Sequence, residues 1–141
     1  RRIRAMTADP DKLLSAYARS LGIAVDSFDE GKLPVLTVDF SSIIEGRPGA
    51  FHGGATSGLL ETAGYGVLRA ALARSGREAG FVPINITVQF MRAGNEKRSF
   101  ARARIVKLGR RTANLSVEAW QDDPLKPIAS AVMNVKIRDV N

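Results

Sequence analysis

The sequence predicts an α+β domain in which one long helix lies against a curled antiparallel sheet. Apolar residues recur at helical spacing through residues 54–73, and apolar and polar residues alternate in the segments after Gly80. The chain has 141 residues, of which 45% are hydrophobic, so it can bury one sizeable core. We therefore expect a single domain over residues 1–141, with its core at about 34–138.

A short amphipathic helix is expected near the amino terminus, at about residues 10–21. Asp9 can cap it, Pro10 suits its first position, and Gly22 can close it. The apolar side chains at helical spacing in this segment are Leu13, Leu14, Tyr17 and Leu21. A strand follows at 35–40, and then a loop at 45–54 that holds four glycines and a proline.

The long central helix contains Gly58, Gly64 and Gly66, each of which lowers helix propensity by about 1 kcal/mol relative to alanine. Packing must compensate, and small side chains permit a close approach of another element. We therefore expect a sheet to wrap this helix. Its strands are predicted around 84–90, 101–105, 113–121 and 128–137, with turns at 109–111 and 122–124.

Composition limits the possible functions. The chain has no cysteine and one histidine, which excludes disulfides and thiol chemistry and argues against a metal site, and we expect no cofactor. No long apolar run or signal-peptide core is evident, so a soluble, cytoplasmic protein without membrane contact is expected.

The net charge of +7 is concentrated between residues 69 and 111, where eleven Lys or Arg face only Glu78 and Glu96. Such a segment either binds an anion or is a solvated basic rim. The aromatics within it form no stacking pattern, and no nucleic-acid motif is present, so a phosphorylated small molecule fits at least as well as nucleic acid.

Glu61 is the only acidic residue between Phe51 and Arg77, and it follows His52-Gly53-Gly54 by about two helical turns. Taken alone, His-Gly-Gly is a tight turn with a capping role and Glu61 is a solvated helix residue. Taken together, a carboxylate in an apolar stretch near a glycine-rich helix start is a candidate general base or nucleophile facing an oxyanion site.

Four segments of the chain resemble the hotdog-fold acyl-CoA thioesterases, particularly the phenylacetate-degradation and 4-hydroxybenzoyl-CoA thioesterase branches. These segments are Phe51-His52-Gly53-Gly54, Glu61-Thr62-Ala63-Gly64, the strand from Ile86 to Ala93, and Gly109-Arg110-Arg111-Thr112. The resemblance covers residues 34–138 and implies a hotdog fold, in which a curled sheet wraps one central helix.

The resemblance also implies the roles of three residues. Glu61 corresponds to the catalytic carboxylate, which either activates a water or attacks the carbonyl to form a mixed anhydride. The backbone amide of Gly53 polarises the thioester carbonyl, where the helix dipole assists it. His52 belongs to the same catalytic motif, where we expect it to shape the loop rather than to act as the base.

One protomer cannot easily supply both groups. Gly53 and Glu61 are about 12 Å apart along a helix, whereas a base or nucleophile must lie within roughly 3 to 4 Å of the carbonyl. Two central helices that run antiparallel across a twofold axis bring Gly53 of one chain to Glu61 of the other. We therefore expect a homodimer with shared sites, and the family's habit of forming dimers of dimers implies a tetramer.

The chain departs from the family at several positions. Gly46 stands where Asn or Gln usually orients the carbonyl, and Tyr65 stands where Ser or Thr is common, one turn after Glu61. Pro83 occupies the place of a polar helper, for which the neighbouring Asn85 and Thr87 are candidate replacements in substrate binding. Gly54, beside the oxyanion amide, and Tyr65 are further candidate substrate contacts.

Coenzyme A carries phosphates, so the basic segment acquires a role under this interpretation. Arg92, Arg110 and Arg111 are candidate phosphate ligands, because a guanidinium offers bidentate donors. Two alternatives remain open at this stage, a protein that binds acyl-CoA without cleaving it and a basic nucleic-acid or partner-binding module. Acyl-thioester hydration or dehydration usually needs a histidine paired with an acid, whereas His52 lies in the loop motif.

Overall fold

The structure is a computed structural model and describes residues 13–140. A short helix, α1 (Ala16–Ser20), precedes strands β1 (Ala24–Phe28) and β2 (Pro34–Val38). A 3-10 turn at Ser42–Ile44 leads to the long helix α2 (Gly53–Arg74). Four consecutive strands complete the chain: β3 (Ala79–Phe90), β4 (Ser99–Leu108), β5 (Thr112–Trp120) and β6 (Ala129–Asp139).

All six strands form one antiparallel sheet in the order β1-β2-β4-β5-β6-β3. The inward-facing residues alternate along β4, β5 and β6, and they bury against α2. One helix wrapped by a curled antiparallel sheet confirms the predicted hotdog fold.

Small residues on α2 let the sheet approach the helix closely. A Cβ built at Gly64 would lie 3.0 Å from Cε of Met133 and 3.2 Å from Cδ1 of Leu115. Leu60, Ala63 and the other inward side chains of α2 are fully buried in the same core. The glycines that weaken the isolated helix are therefore the residues that fit it into the sheet.

Some elements differ from those predicted. Strand β1 was not predicted, because its residues are mostly exposed and carry no apolar alternation. Asp9 and Pro10, the predicted helix start, lie outside the described residues, whereas α1 begins at Ala16 with Ser15 as its N-cap. Strand β3 contains a bulge between Pro83 and Asn85.

No helix within residues 13–140 is long and apolar enough to cross a membrane.

Candidate functional site

Helix α2 begins at an amide that is not used within the fold. His52 is the N-cap, and its Nδ1 accepts a hydrogen bond of 2.8 Å from the backbone N–H of Gly54. The N–H of Gly53, at the first helical position, donates to no acceptor among the cap and loop hydrogen bonds of the described residues. Anions and partial negative charges are stabilised at such a position by the free amide and the helix dipole.

His52 therefore has a structural task. Because Nδ1 accepts from Gly54, the ring carries its proton on Nε2, and the imidazole holds the first turn in place. The amide of Gly54, a predicted substrate contact, is occupied by this bond. A loop-shaping role for His52 remains a prediction.

The loop before α2 leaves no room for a side chain at residue 46. The backbone N–H of His52 donates to Ile44, Gly46 donates to Ala50, and Glu45 forms a bridge with Phe51. A Cβ built at Gly46 would lie 2.9 Å from Cα of His52. Glycine at this position is therefore a consequence of how tightly the loop closes on the helix start.

Glu61 is half-buried on α2, and its carboxylate interacts electrostatically with the hydroxyl of Tyr65, one helical turn later. Burial raises the pKa of Tyr65, the carboxylate of Glu61 raises it further, and Arg69 opposes part of that rise. The phenol therefore remains protonated and is a hydrogen-bond donor at neutral pH.

Glu61 and Tyr65 line a cavity of about 310 Å³ between α1, α2 and β3. Arg69 and Phe81 form another part of its wall. The rings of Tyr65 and Phe81 stack with centroids 5.9 Å apart and an angle of 9° between their planes. The cavity thus combines a carboxylate, a phenol, a guanidinium and an aromatic surface.

Gly53 lines a different cavity, of about 370 Å³. Arg92, from the predicted site, lies on its wall together with Arg47, Phe51 and Phe90. Within one protomer, therefore, the structure does not bring Gly53 and Glu61 to the same cavity.

Asn85 and Thr87 lie on the face of the sheet away from α2. Asn134 donates to Oδ1 of Asn85 at 2.8 Å, and its neighbours Met133 and Val135 are buried toward the helix. Thr87 pairs with Val132, which is exposed on that outer face. The structure therefore places neither polar side chain, nor exposed Pro83, in the cavity of Glu61.

The basic segment does not form one continuous surface. Arg77, Lys97 and Arg98 are engaged in exposed ion pairs with carboxylates. Arg110 and Arg111 line a third cavity, of about 420 Å³, with Lys136 and Arg138. Arg92 lies instead beside Gly53, so the three predicted phosphate ligands belong to two separate regions.

A sequence-family model described as the thioesterase superfamily matches residues 48–128, which include the helix start, Glu61 and the following strands. The chain belongs to the thioesterase superfamily. A search of the curated proteins finds no match.

Solved structures of several thioesterases share this fold over nearly the whole chain. A mutant thioesterase of Pseudomonas aeruginosa superposes with a TM-score of 0.78 at 24% identity, covering 95% of this chain and 96% of that one. A thioesterase of Haemophilus influenzae gives 0.78 at 19% identity, with coverages of 92% and 87%. The PaaI protein from the phenylacetic acid degradation operon of Escherichia coli gives 0.71 at 24% identity, with coverages of 90% and 86%. At these identities the structural likeness establishes the fold.

Among the residues of this thioesterase-superfamily chain that line the two cavities without having been predicted there are Arg47, Arg69 and Phe81. Arg69 follows Tyr65 by four residues, so helical spacing alone could have placed it beside that ring. Phe81 reaches Tyr65 only through the tertiary fold, and no local signal in the sequence indicates the contact.

Proposed function

We propose that the protein hydrolyses an acyl-CoA thioester to the free acid and coenzyme A, at sites shared between two protomers. The Gly53 amide of one protomer polarises the carbonyl, and Glu61 of the partner subunit is the base or the nucleophile. The observation that carries this proposal is the unused N–H of Gly53 at the start of α2. Superfamily membership supports thioester hydrolysis in general terms.

The exposed edge of the sheet supports the association of two protomers. Strand β3 is the last strand of the sheet, and its outer edge is unpaired within the described chain. It carries Val82, Ile84 and Phe90, which are 39%, 53% and 58% exposed. An edge strand with free backbone groups and apolar side chains is suited to pairing with a second copy.

The direction of β3 relative to α2 supports the sharing of sites. Phe90 lies beside Gly53, with its Cζ 3.5 Å from a Cβ built there, whereas Phe81 stacks on Tyr65. The strand therefore runs antiparallel to the helix. When two copies of β3 pair antiparallel, the Phe90 end of one meets the Phe81 end of the other, which brings Gly53 toward the partner's Glu61.

Hydrolysis at such a site can follow either of two routes. In the first, water adds to the carbonyl carbon while Glu61 removes its proton, and the Gly53 N–H stabilises the negative charge on the carbonyl oxygen. The C–S bond then breaks, and the proton passes to the sulfur of coenzyme A. In the second, Glu61 displaces the thiolate to form a mixed anhydride, which water cleaves to the acid. Neither route needs a cofactor.

The phosphates of coenzyme A have candidate ligands close to Gly53. Arg92 and Arg47 line the cavity that contains this residue and are candidate ligands for the diphosphate at the far end of the pantetheine arm. Arg110 and Arg111 lie in the third cavity and are candidates for the more distant 3′-phosphate.

The first test is release of free thiol from a panel of short, long and aryl acyl-CoAs, with wild type beside Glu61→Ala. We expect hydrolysis of at least one thioester by wild type and a large loss of rate in the variant. Absence of hydrolysis across the panel, or full activity in the variant, would disprove the proposal that the protein hydrolyses acyl-CoA through Glu61.

The amide can be removed by one substitution. Proline is tolerated at the first position of a helix, and His52 already has the extended conformation, φ −65° and ψ 137°, that a residue before proline adopts. Gly53→Pro deletes the N–H, whereas the control Gly53→Ala keeps it. We expect Gly53→Pro to lower kcat by roughly a hundredfold or more, the typical effect of losing one oxyanion donor. Equal kcat values for the two variants would remove the amide from the mechanism.

Mixing the two inactive variants tests the sharing of sites. A mixed dimer of Gly53→Pro with Glu61→Ala has one site with both defects and one intact site. When equal amounts of the two variants pair at random, half of the dimers are mixed. Coexpression is therefore expected to restore about a quarter of the wild-type rate, because each mixed dimer has one intact site out of two. A site built within one protomer predicts no recovery.

The closed loop at Gly46 favours one alternative, binding of an acyl-CoA without turnover. It excludes the Asn or Gln side chain that would orient the carbonyl. In that case the bound thioester stays intact, and Glu61→Gln leaves its retention unchanged.

A further inference from the structure

Arg69 presents a positive charge to the cavity of Glu61 without an acidic partner among residues 13–140. Its Nη1 donates to the carbonyl of Leu13 at 3.3 Å, and its Cζ lies 5.9 Å and 5.4 Å from the ring centroids of Tyr65 and Phe81. Among the residues that the structure describes, it forms no ion pair. Most of its donors therefore remain available to a ligand.

The guanidinium is also partly removed from water. Arg69 is half-buried between α2, the segment before α1 and β3, and this burial lowers the pKa of its guanidinium. A charge that has lost part of its hydration gains from an anion that restores its hydrogen bonds. The two aromatic rings supply only part of that compensation.

The position of Arg69 defines which part of a substrate it can reach. Its Cα is about 12 Å beyond that of Glu61 along the helix axis, and long helical side chains lean back toward the amino terminus. The guanidinium thus lies in the same cavity as the carboxylate but separated from it by Tyr65. An acyl group that extends in this direction from a carbonyl held beside Glu61 reaches the guanidinium.

We propose that Arg69 binds a carboxylate at the far end of the acyl group, so that the preferred substrates are CoA thioesters of dicarboxylic acids. The inference rests on the proposed hydrolysis and adds to it the class of acyl group. The aromatic side chains on the cavity wall, Tyr17, Tyr65 and Phe81, supply the apolar contacts for the methylene chain, and the guanidinium donates two hydrogen bonds to the terminal carboxylate.

An aromatic acyl group fits these observations less well. Tyr65 and Phe81 stack on each other nearly in parallel, and Arg69 lies over both rings. Their faces are therefore largely taken by partners within the protein. A benzoyl or phenylacetyl group would leave the guanidinium without an anion.

The test compares pairs of thioesters of equal chain length. Hexanoyl-CoA is matched with adipyl-CoA and octanoyl-CoA with suberyl-CoA, with succinyl-, glutaryl- and phenylacetyl-CoA added to the panel. We expect at least one dicarboxylic thioester to exceed its neutral match in kcat/KM, and Arg69→Met to reduce that ratio by about ten- to a hundredfold. Arg74→Met, on the same helix but outside this cavity, is the matched control and should leave the ratio unchanged.

A binding measurement separates this inference from the proposed hydrolysis. Calorimetry with non-hydrolysable thioethers, S-hexyl-CoA and S-(5-carboxypentyl)-CoA, reports the contribution of the terminal carboxylate without turnover. If Arg69→Met does not fold, Arg69→Lys takes its place, because a compact ammonium cannot form the bidentate pair and the preference should fall several-fold.

The outcomes are distinct. Arg69-dependent preference for the carboxylated thioether without hydrolysis of any thioester supports the inference and defeats the proposed hydrolysis. Two results overturn the inference and leave hydrolysis standing. One is hydrolysis in which the ratio of kcat/KM between a dicarboxylic thioester and its neutral match does not depend on Arg69, and the other is a preference for phenylacetyl-CoA. Failure of both thioethers to bind, together with absence of hydrolysis across the panel, overturns both.

Discussion

Tyr65 lies one helical turn after Glu61, and burial and the carboxylate of Glu61 raise the pKa of its hydroxyl. Residues four apart on a helix face the same side, so the phenol can hold the carboxylate in one orientation without distorting the backbone. The aromatic ring is itself fixed by stacking on Phe81. The orientation of the candidate catalytic carboxylate thus depends on a contact between the central helix and the edge strand.

Tyr65→Phe is expected to lower kcat while changing KM little. The ring that lines the cavity is retained, whereas the donor that positions Glu61 is lost. If the less well oriented carboxylate raises the activation free energy by roughly 1.4 kcal/mol, kcat falls about tenfold. Steady-state kinetics with the best thioester measures this, and a rise in KM at constant kcat would show that Tyr65 only binds substrate.

Tyr65 also predicts a change in stability at alkaline pH. Its pKa is raised above the ordinary value of 10.0, so the unfolded chain releases this proton at a lower pH than the folded one. The stabilisation is complete below about pH 10 and is lost as the pH rises through the folded-state pKa. Urea unfolding of wild type and Tyr65→Phe should be measured from pH 7 to 11. The difference between their free energies of unfolding should stay constant up to about pH 10, and above it wild type should lose stability relative to the variant. A difference independent of pH would contradict the assignment.

Two substitutions of His52 distinguish a capping role from a catalytic one. His52→Ala removes the acceptor for the Gly54 N–H and should lower the free energy of unfolding by about 1 kcal/mol, whereas Asn is a favoured N-cap. We expect His52→Asn to recover the stability and most of the activity. If His52 were the base, His52→Asn would be inactive although well folded.

Gly46→Asn would introduce the side chain type common in the family, and we expect it to impair the protein. Its Cβ would lie 2.9 Å from the backbone Cα of His52, which cannot move without disturbing the helix start. The free energy of unfolding should fall by about 1–3 kcal/mol without a gain in kcat. Gly31→Asn is the control, because a Cβ there meets only Oδ1 of Asp29 at 3.5 Å. A more active and equally stable Gly46→Asn would show that the loop opens readily.

Alanine substitutions at two glycines of α2 should change the free energy of unfolding in opposite directions. At Gly64 the new Cβ would press on Met133 and Leu115, and overpacking of about 1–3 kcal/mol outweighs a propensity gain of about 1 kcal/mol. At Gly66 the nearest atom is Cγ of Pro34 at 3.8 Å, so Gly66→Ala should stabilise by about 0.5–1 kcal/mol. Thermal or urea unfolding measures both. Similar changes in the two variants would refute the packing argument.

The helix and sheet were predictable because burial imposes a period on the sequence. The apolar stripe of α2 and the alternation in β4 to β6 reflect sides that face one core. Strand β1 lacks this signal because it lies at the other edge of the sheet, where most of its side chains are exposed. Ile84 was assigned to the apolar alternation, yet the bulge beside it leaves its side chain exposed.

The candidate site was predictable only where chemistry and local spacing coincide. Glu61 and Gly53 follow from a motif on one helix, and Tyr65 follows from its one-turn spacing. The orientation of Asn85 and Thr87 depends on strand register, in which a shift of one residue reverses the face of every side chain. Phe81 meets Tyr65 through a contact between distant parts of the chain, which local patterns do not encode.

Under the proposed pairing of two protomers, the outer edge of β3 stays open in a newly made chain until it meets a second copy. Free amides and carbonyls beside Val82 and Ile84 can capture foreign strands as readily as a second copy. Dilution should therefore do more than slow assembly, since it prolongs the interval in which misdirected pairing and proteolytic attack compete with it. The proposed pairing thus predicts that the yield of correctly assembled protein rises with its concentration.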